Sequence, residues 1–233
     1  NSMHSLLILL SKGIPLKPTY AVLMHNYNDF AVLYKTESYW IAPSGRSLIT
    51  DHNFHSESVS MSISYRFFKA MKDFFVPNLY SYLGPRLLDI KPRDEFQGFR
   101  KKEFQDLNLE EYKNQFTSSL VSFIELSRVW NIKPILMTQA NRINLKDALF
   151  QKWFLENVRE GITSTEFIEL YQLSNQIIRE IAKTHSVPLV DLDSLVPKTN
   201  EFIYDTAHFN EAGSKLVADF VSKEILKIAD QSK

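Results

Sequence analysis

The residues best suited to do chemistry lie near the C-terminus, in Asp205-Thr206-Ala207-His208-Phe209-Asn210-Glu211-Ala212-Gly213. An aspartate three residues ahead of a histidine can reach the imidazole across one turn. Its carboxylate would hold Nδ1–H and leave Nε2 free as a base. That pair is two-thirds of a nucleophilic triad. Taken alone, D-x-x-H is short and common, and it reads equally well as a capped helix start with a solvated histidine. Two further polar clusters follow apolar runs: His25-Asn26-Tyr27-Asn28-Asp29 and Gln139-Ala140-Asn141. His25, Asn26, Gln139 and Asn141 are the candidates to line a substrate pocket there. For each the alternative is a packed or loop role, and for Asn28-Asp29 it is a turn after a strand.

Other clusters carry less. Asp51, His52, His55 and Glu57 could be taken for a metal site, but H-x-x-H on a loop is a poor zinc signature and no third ligand is positioned. A solvated loop is the better account, so no metal is expected. Asp191 and Asp193 flank Leu192 and are expected to cap and bond locally. Phe67, Phe68, Phe74, Phe75, Tyr80 and Tyr82 suggest a packed insertion, with a lid or acyl-binding wall as the functional alternative. Arg66, Lys69 and Lys72 interleave with them, which leaves membrane association open but unsupported.

The elements that must position these groups alternate. Ser2 to Lys12 carries Met3, Leu6, Leu7 and Leu10 at helical spacing, and Gly13 suits its end. Tyr20 to Met24 is a short apolar run of the kind buried in parallel sheets. Lys35 to Asp106 is irregular and reads as an insertion, helical over Glu57–Phe75. Asn108 and Glu111 resemble a capping box ahead of a helix reaching Trp130. Pro134 to Thr138 is a second buried strand. Thr163 and Glu166 cap a helix bearing Phe167, Leu170, Leu173, Ile177 and Ile181. Val187 to Asp191 is a third strand, and a last helix starts near Asn210 with Leu216, Val217, Phe220, Val221, Ile225 and Ile228. This order predicts an α/β fold with parallel strands and its site beyond their carboxyl ends.

The two polar blocks, taken in order, resemble SGNH (GDSL-like) hydrolases. Asp205 to His208 is similar to the family block that supplies the triad aspartate and histidine before the C-terminal helix. Val22 to Asp29 resembles the G-x-N-D block, with Asn26 where glycine is usual. The resemblance implies a three-layer, flavodoxin-like fold over residues 1–233, with 35–106 as an insertion or lid. It implies a serine ester hydrolase in which Asp205 and His208 are catalytic and Asn28 donates to the oxyanion. Small-molecule or glycan esters, including acetylated sugars, are the implied substrates, and no cofactor is implied. The family's G-D-S block and its oxyanion glycine have no counterpart. Asn1-Ser2-Met3-His4-Ser5-Leu6 resembles the helix that follows that glycine. The nucleophile is therefore expected upstream of residue 1, and residues 1–233 alone would be inactive. Ser44 lacks a G-x-S-x-G elbow, and Ser2 and Ser5 suit N-capping. The rival readings are a non-catalytic SGNH-like binding protein and an O-acyltransferase using the same triad.

Composition narrows the classes. Lys+Arg and Asp+Glu are each 27, so nothing calls for nucleic acid as partner. The chain has no cysteine, which removes disulfides and thiolate metal sites and leaves the compartment open. Hydrophobic residues make up 44%, enough for the core of one domain of this length.

Overall fold

The structure, a computed structural model, describes residues 1–40, 103–158 and 161–230. The chain separates into two units, Asn1–Tyr39 with Arg100–Lys233, and Trp40–Phe99. The expected helix over 57–75, the Asp51–Glu57 cluster, Ser44 and the aromatic stretch from Phe67 to Tyr82 all lie outside the described residues.

The first unit is an α/β assembly built on three parallel strands: β1 (Tyr20–Met24), β2 (Lys133–Met137) and β3 (Leu189–Val190), hydrogen-bonded in the order β1-β2-β3. Tyr20 aligns with Lys133 and Met24 with Met137, while Leu136 aligns with Leu189 and Met137 with Val190. All three strands occur where apolar runs predict them. The third is shorter than its apolar run, because Pro188 has no N–H to give the ladder, although its carbonyl accepts from Leu136 N at 3.0 Å.

Helix α1 (Ser2–Ile8) continues through a π turn to Gly13. Its cap is Asn1, which accepts from His4 N, so neither Ser2 nor Ser5 has the N-capping role expected of it. Helix α2 (Tyr27–Thr36) follows β1 directly, where sequence suggested a turn and then an insertion. Helix α3 (Leu109–Val129) is capped by Asn108, whose side chain accepts from Glu111 N. The reciprocal half of that box is absent, because Asn108 N donates instead to Glu37 Oε1 at 2.7 Å. Helix α4 (Ala148–Asn157), capped by Asp147, was not foreseen. Helix α5 (Ser164–Thr184) opens with a complete capping box between Thr163 and Glu166. A single turn, α6 (Leu192–Leu195), and the final helix α7 (Glu211–Asp230) complete the unit.

Among the described residues, two apolar clusters hold α2, α4, α5, α6 and α7. Ile135, Met137 and Val190 pack with Ala140, Leu192, Val196 and Ile203 under the apolar stripe of α7, Leu216 to Ile228. Alternation along β2 turns Leu136 to the opposite face, and it too is fully buried. β2 is therefore covered on both sides, as expected of a parallel strand. A second cluster joins α2, α4 and α5 through Phe30, Tyr34, Phe150, Phe154, Phe167 and Leu170. Phe30 and Phe167 meet edge to face with centroids 4.9 Å apart, a geometry favoured by ring quadrupoles.

Candidate active site

Asp205 and His208 sit on a tight loop closed by an antiparallel bridge between Ile203 and Phe209, with Tyr204 N donating to His208 O at 3.0 Å. Asp205 Oδ1 accepts from Ala207 N at 2.9 Å and His208 N at 2.8 Å, and Oδ2 lies 2.7 Å from His208 Nδ1. The carboxylate is thus pinned by two backbone donors, and one oxygen is aimed at the ring. This selects the tautomer with the proton on Nδ1 and leaves Nε2 as a base. Among the described residues no group hydrogen-bonds Nε2, and the His208 side chain is 71% exposed. Tyr204 stacks on the imidazole with centroids 5.8 Å apart and planes at 21°, restricting its rotation. Burial pushes the Asp205 carboxyl up, but the N–H groups of Ala207 and His208 and the His208 ring outweigh it. The net pKa lies below the ordinary carboxylate value, so Asp205 is an anion at neutral pH.

The loop is anchored from both sides. Asn210 accepts from Gly213 N at the start of α7 and donates to the carbonyls of Asn200 and Glu201. Gly213 is required there: a Cβ would stand 2.0 Å from Phe202 O. On the other side Arg142, nearly buried just past β2, donates from its N–H to Thr206 O at 2.8 Å and from Nη1 to Ile203 O at 3.0 Å. Its Nε is held by Asp147 Oδ2 at 3.0 Å. Arg142 therefore ties the loop to the carboxyl end of β2. Sequence reasoning missed it, although an arginine directly after a strand-end polar cluster is the signal available.

Asn28 lies in the first turn of α2, beyond the carboxyl end of β1, and its side chain is exposed. The neighbouring N–H, of Tyr27, donates to Gln139 Oε1 at 3.1 Å, which couples this turn to the end of β2. Asn28 follows the carboxyl end of β1, and Arg142 ties the Asp205–His208 loop to the carboxyl end of β2, the end of the sheet where α/β folds place their ligands.

The other candidates are engaged internally. Asn26 is 1% exposed and donates to Tyr171 O and Asn175 Oδ1; its own Oδ1 is buried without a partner among the described residues. Gln139 also exchanges hydrogen bonds with Asn175 through its backbone. Asn141 donates to Asp193 Oδ1 and accepts from Ile143 N. Asp191 and Asp193 do more than cap a turn. Arg179 Nη2 bonds Asp191 at 2.9 Å and Asp193 at 2.8 Å, and Thr138 Oγ1 donates to Asp191 at 2.7 Å, clamping α5 to the ends of β2 and β3. His25 is part-buried, with Nε2 2.7 Å from Ser5 Oγ and Nδ1 3.4 Å from Asp29 Oδ2.

Among the described residues no group of three or more His, Asp or Glu is arranged to hold a metal, and no helix is long and apolar enough to cross a membrane. A cleft of about 670 Å³ lies at the opposite end of the sheet, lined by Arg128, Lys133, Pro134, Ser186 and Pro188. It faces the amino ends of β2 and β3, and none of Asn28, Asp205, His208, His25, Asn26, Gln139 and Asn141 lines it. No protein-family model matches the chain, and no curated protein matches it.

Proposed function

We propose that the protein is a serine ester hydrolase of the SGNH type, built on a three-layer, flavodoxin-like α/β fold. The observation that carries this reading is the 2.7 Å contact between Asp205 Oδ2 and His208 Nδ1, with Nε2 turned outward beyond the strand ends. Its support is chemical. An imidazole oriented by a fixed carboxylate is the base half of an acyl-transfer site.

In this mechanism His208 Nε2 takes the proton of a nucleophilic serine as that serine attacks an ester carbonyl. Asp205 stabilises the imidazolium that forms. The same proton passes to the leaving alcohol when the tetrahedral intermediate collapses, and water then repeats the sequence on the acyl-enzyme. Asn28 donates its amide to the oxyanion, a contribution of about 10²–10³ in rate for one such donor. On this reading the substrates are acyl esters, including O-acetyl esters of carbohydrates.

The test is hydrolysis of a short-chain ester by the full-length protein. His208→Ala is expected to abolish it and to prevent labelling by a fluorophosphonate. A variant that keeps the wild-type rate refutes the assignment. Labelling without hydrolysis, together with acyl transfer to an added alcohol, would identify an acyltransferase instead.

A further inference from the structure

A second serine, histidine and aspartate meet at the other side of the β1 terminus. Ser2 and Ser5 are one turn apart on α1 and so share a face. Ser2, fully buried, bonds Asp29 through both its N–H and its hydroxyl. Ser5, half-buried, presents its Oγ 2.7 Å from Nε2 of His25, the residue that follows β1. The other ring nitrogen, Nδ1, faces Asp29 Oδ2 at 3.4 Å.

The chemistry of this trio is set by Asp29. Its carboxylate is completely enclosed and accepts from Ser2 N at 2.8 Å and Tyr39 OH at 2.6 Å. Donors of this number and closeness fix the position of both its oxygens. A carboxylate oxygen fixed opposite Nδ1 favours the tautomer with the ring proton on that nitrogen, which makes Nε2 the acceptor and Ser5 Oγ–H the donor. Burial, only partly offset by Asp29, lowers the His25 pKa, so the ring is neutral and able to take a proton. A buried tie between α1 and β1 would need none of this polarity; either hydrogen-bond direction would hold the helix.

We infer that Ser5 is an activated serine in a Ser5–His25–Asp29 relay of its own, able to take an acyl group from a compact activated ester without the Asp205–His208 loop. In the step, Ser5 Oγ bonds to the ester carbonyl carbon as its proton passes to His25 Nε2. The tetrahedral adduct then expels the leaving alkoxide or phenolate, which takes that proton. The products are acyl-Ser5 and a free alcohol. Half-burial of Ser5 and His25 restricts the donor to small acyl groups such as acetyl.

The experiment uses p-nitrophenyl acetate with the folded full-length protein, followed by peptide mass spectrometry with fragmentation. Acetylation is expected on Ser5, in the peptide ending at Lys12, rather than on Ser2 or Ser11. His25→Gln, which keeps a hydrogen-bonding partner for Ser5 but removes the base, should slow it about a hundredfold, the range of general-base catalysis. His208→Ala should leave it unchanged, so the two sites stand or fall separately. The inference is overturned if folded wild-type protein is not acetylated on Ser5, or is acetylated there only after denaturation. Equal Ser5 rates in wild type and His25→Gln overturn it too, as does loss of the modification in His208→Ala, because the acyl group would then arrive through the other site.

Discussion

Gly213→Ala is the substitution for which the structure specifies the outcome most fully. Gly213 occupies the first turn of α7, where alanine is intrinsically favoured over glycine by about 1 kcal/mol. Propensity alone therefore predicts a more stable protein. The added Cβ would instead stand 2.0 Å from Phe202 O, with the Phe202 carbonyl carbon at 2.9 Å and its Cα at 3.2 Å. All three are backbone atoms that cannot rotate aside. Relief requires moving the amino end of α7 away from Phe202, which strains the bond from Asn210 N to Phe202 O and the cap from Gly213 N to Asn210 Oδ1. Overpacking of this kind costs about 1–3 kcal/mol, and a backbone obstacle puts the cost near the top of that range. Subtracting the helical gain leaves a net loss of about 2 kcal/mol, which for a domain of this size lowers Tm by about 4–8 °C. Thermal unfolding followed by circular dichroism measures this directly, with Ser214→Ala, exposed on the same turn, expected to stay within about 0.5 kcal/mol of wild type. A Gly213→Ala protein with an unchanged or higher Tm would refute the close approach of α7 to Phe202.

Asn28→Ala is expected to lower kcat for a short-chain ester by about 10²–10³ with little change in KM, since the donor acts on the developing oxyanion; an unchanged kcat removes Asn28 from the site. His25→Gln should flatten the pH dependence of stability. Because the folded-state pKa of His25 lies below its ordinary 6.5, the unfolded chain binds the proton first, and wild type loses stability as pH falls below about 6.5. Urea unfolding at neutral and mildly acidic pH would show this, and parallel losses in the two proteins would contradict it. Arg179→Ala should cost about 2 kcal/mol at neutral pH, the scale of a charge-assisted hydrogen bond. Arg179 helps hold Asp191 and Asp193 below the usual carboxylate range against the opposing effect of burial, so the stability they contribute is present above about pH 4 and lost below it. The cost of the substitution should accordingly shrink in acid; a pH-independent penalty would argue for lost packing alone.

Much of the frame was legible because it depends on local signals. Each strand is a short apolar run bounded by polar or proline-containing segments, and Asn108 and Thr163 cap the helices they precede. The Asp205–His208 spacing carried enough information to predict the contact its atoms make. Helix α2 escaped notice because its buried residues, Asp29, Phe30, Val32, Leu33 and Tyr34, are nearly continuous and give no clean amphipathic stripe. Asp29 is also a poor core residue on composition alone; it is buried because the hydroxyls of Ser2 and Tyr39 bond it, with Ser119 bonding Ser2 in turn. The same is true of Arg142. Its role depends on two carbonyls of a loop some sixty residues further along the chain, a distance at which periodicity and motif spacing say nothing. Asn26, Gln139 and Asn141 marked strand ends correctly, but residue type could not distinguish a side chain facing solvent from one joining two loops.

The register of the sheet also has a kinetic meaning. Leu136 pairs with Leu189, whereas Tyr20 pairs with Lys133, a loop about twice as long. Closing the longer loop costs about 0.6 kcal/mol more in chain entropy, and the β2–β3 closure also contains α5, whose capping box and long apolar stripe favour early formation. Folding should therefore begin at β2, α5 and β3, with β1 docking last. Asn28 and the Ser5–His25 pair are carried by that late-docking part of the chain, while Asp205 and His208 sit on a loop that Arg142 ties to the end of β2. In native-state hydrogen exchange the amides of β1 would then open at lower free energy than those of β2, so the two halves of the site would be separable by local unfolding before the protein as a whole is lost.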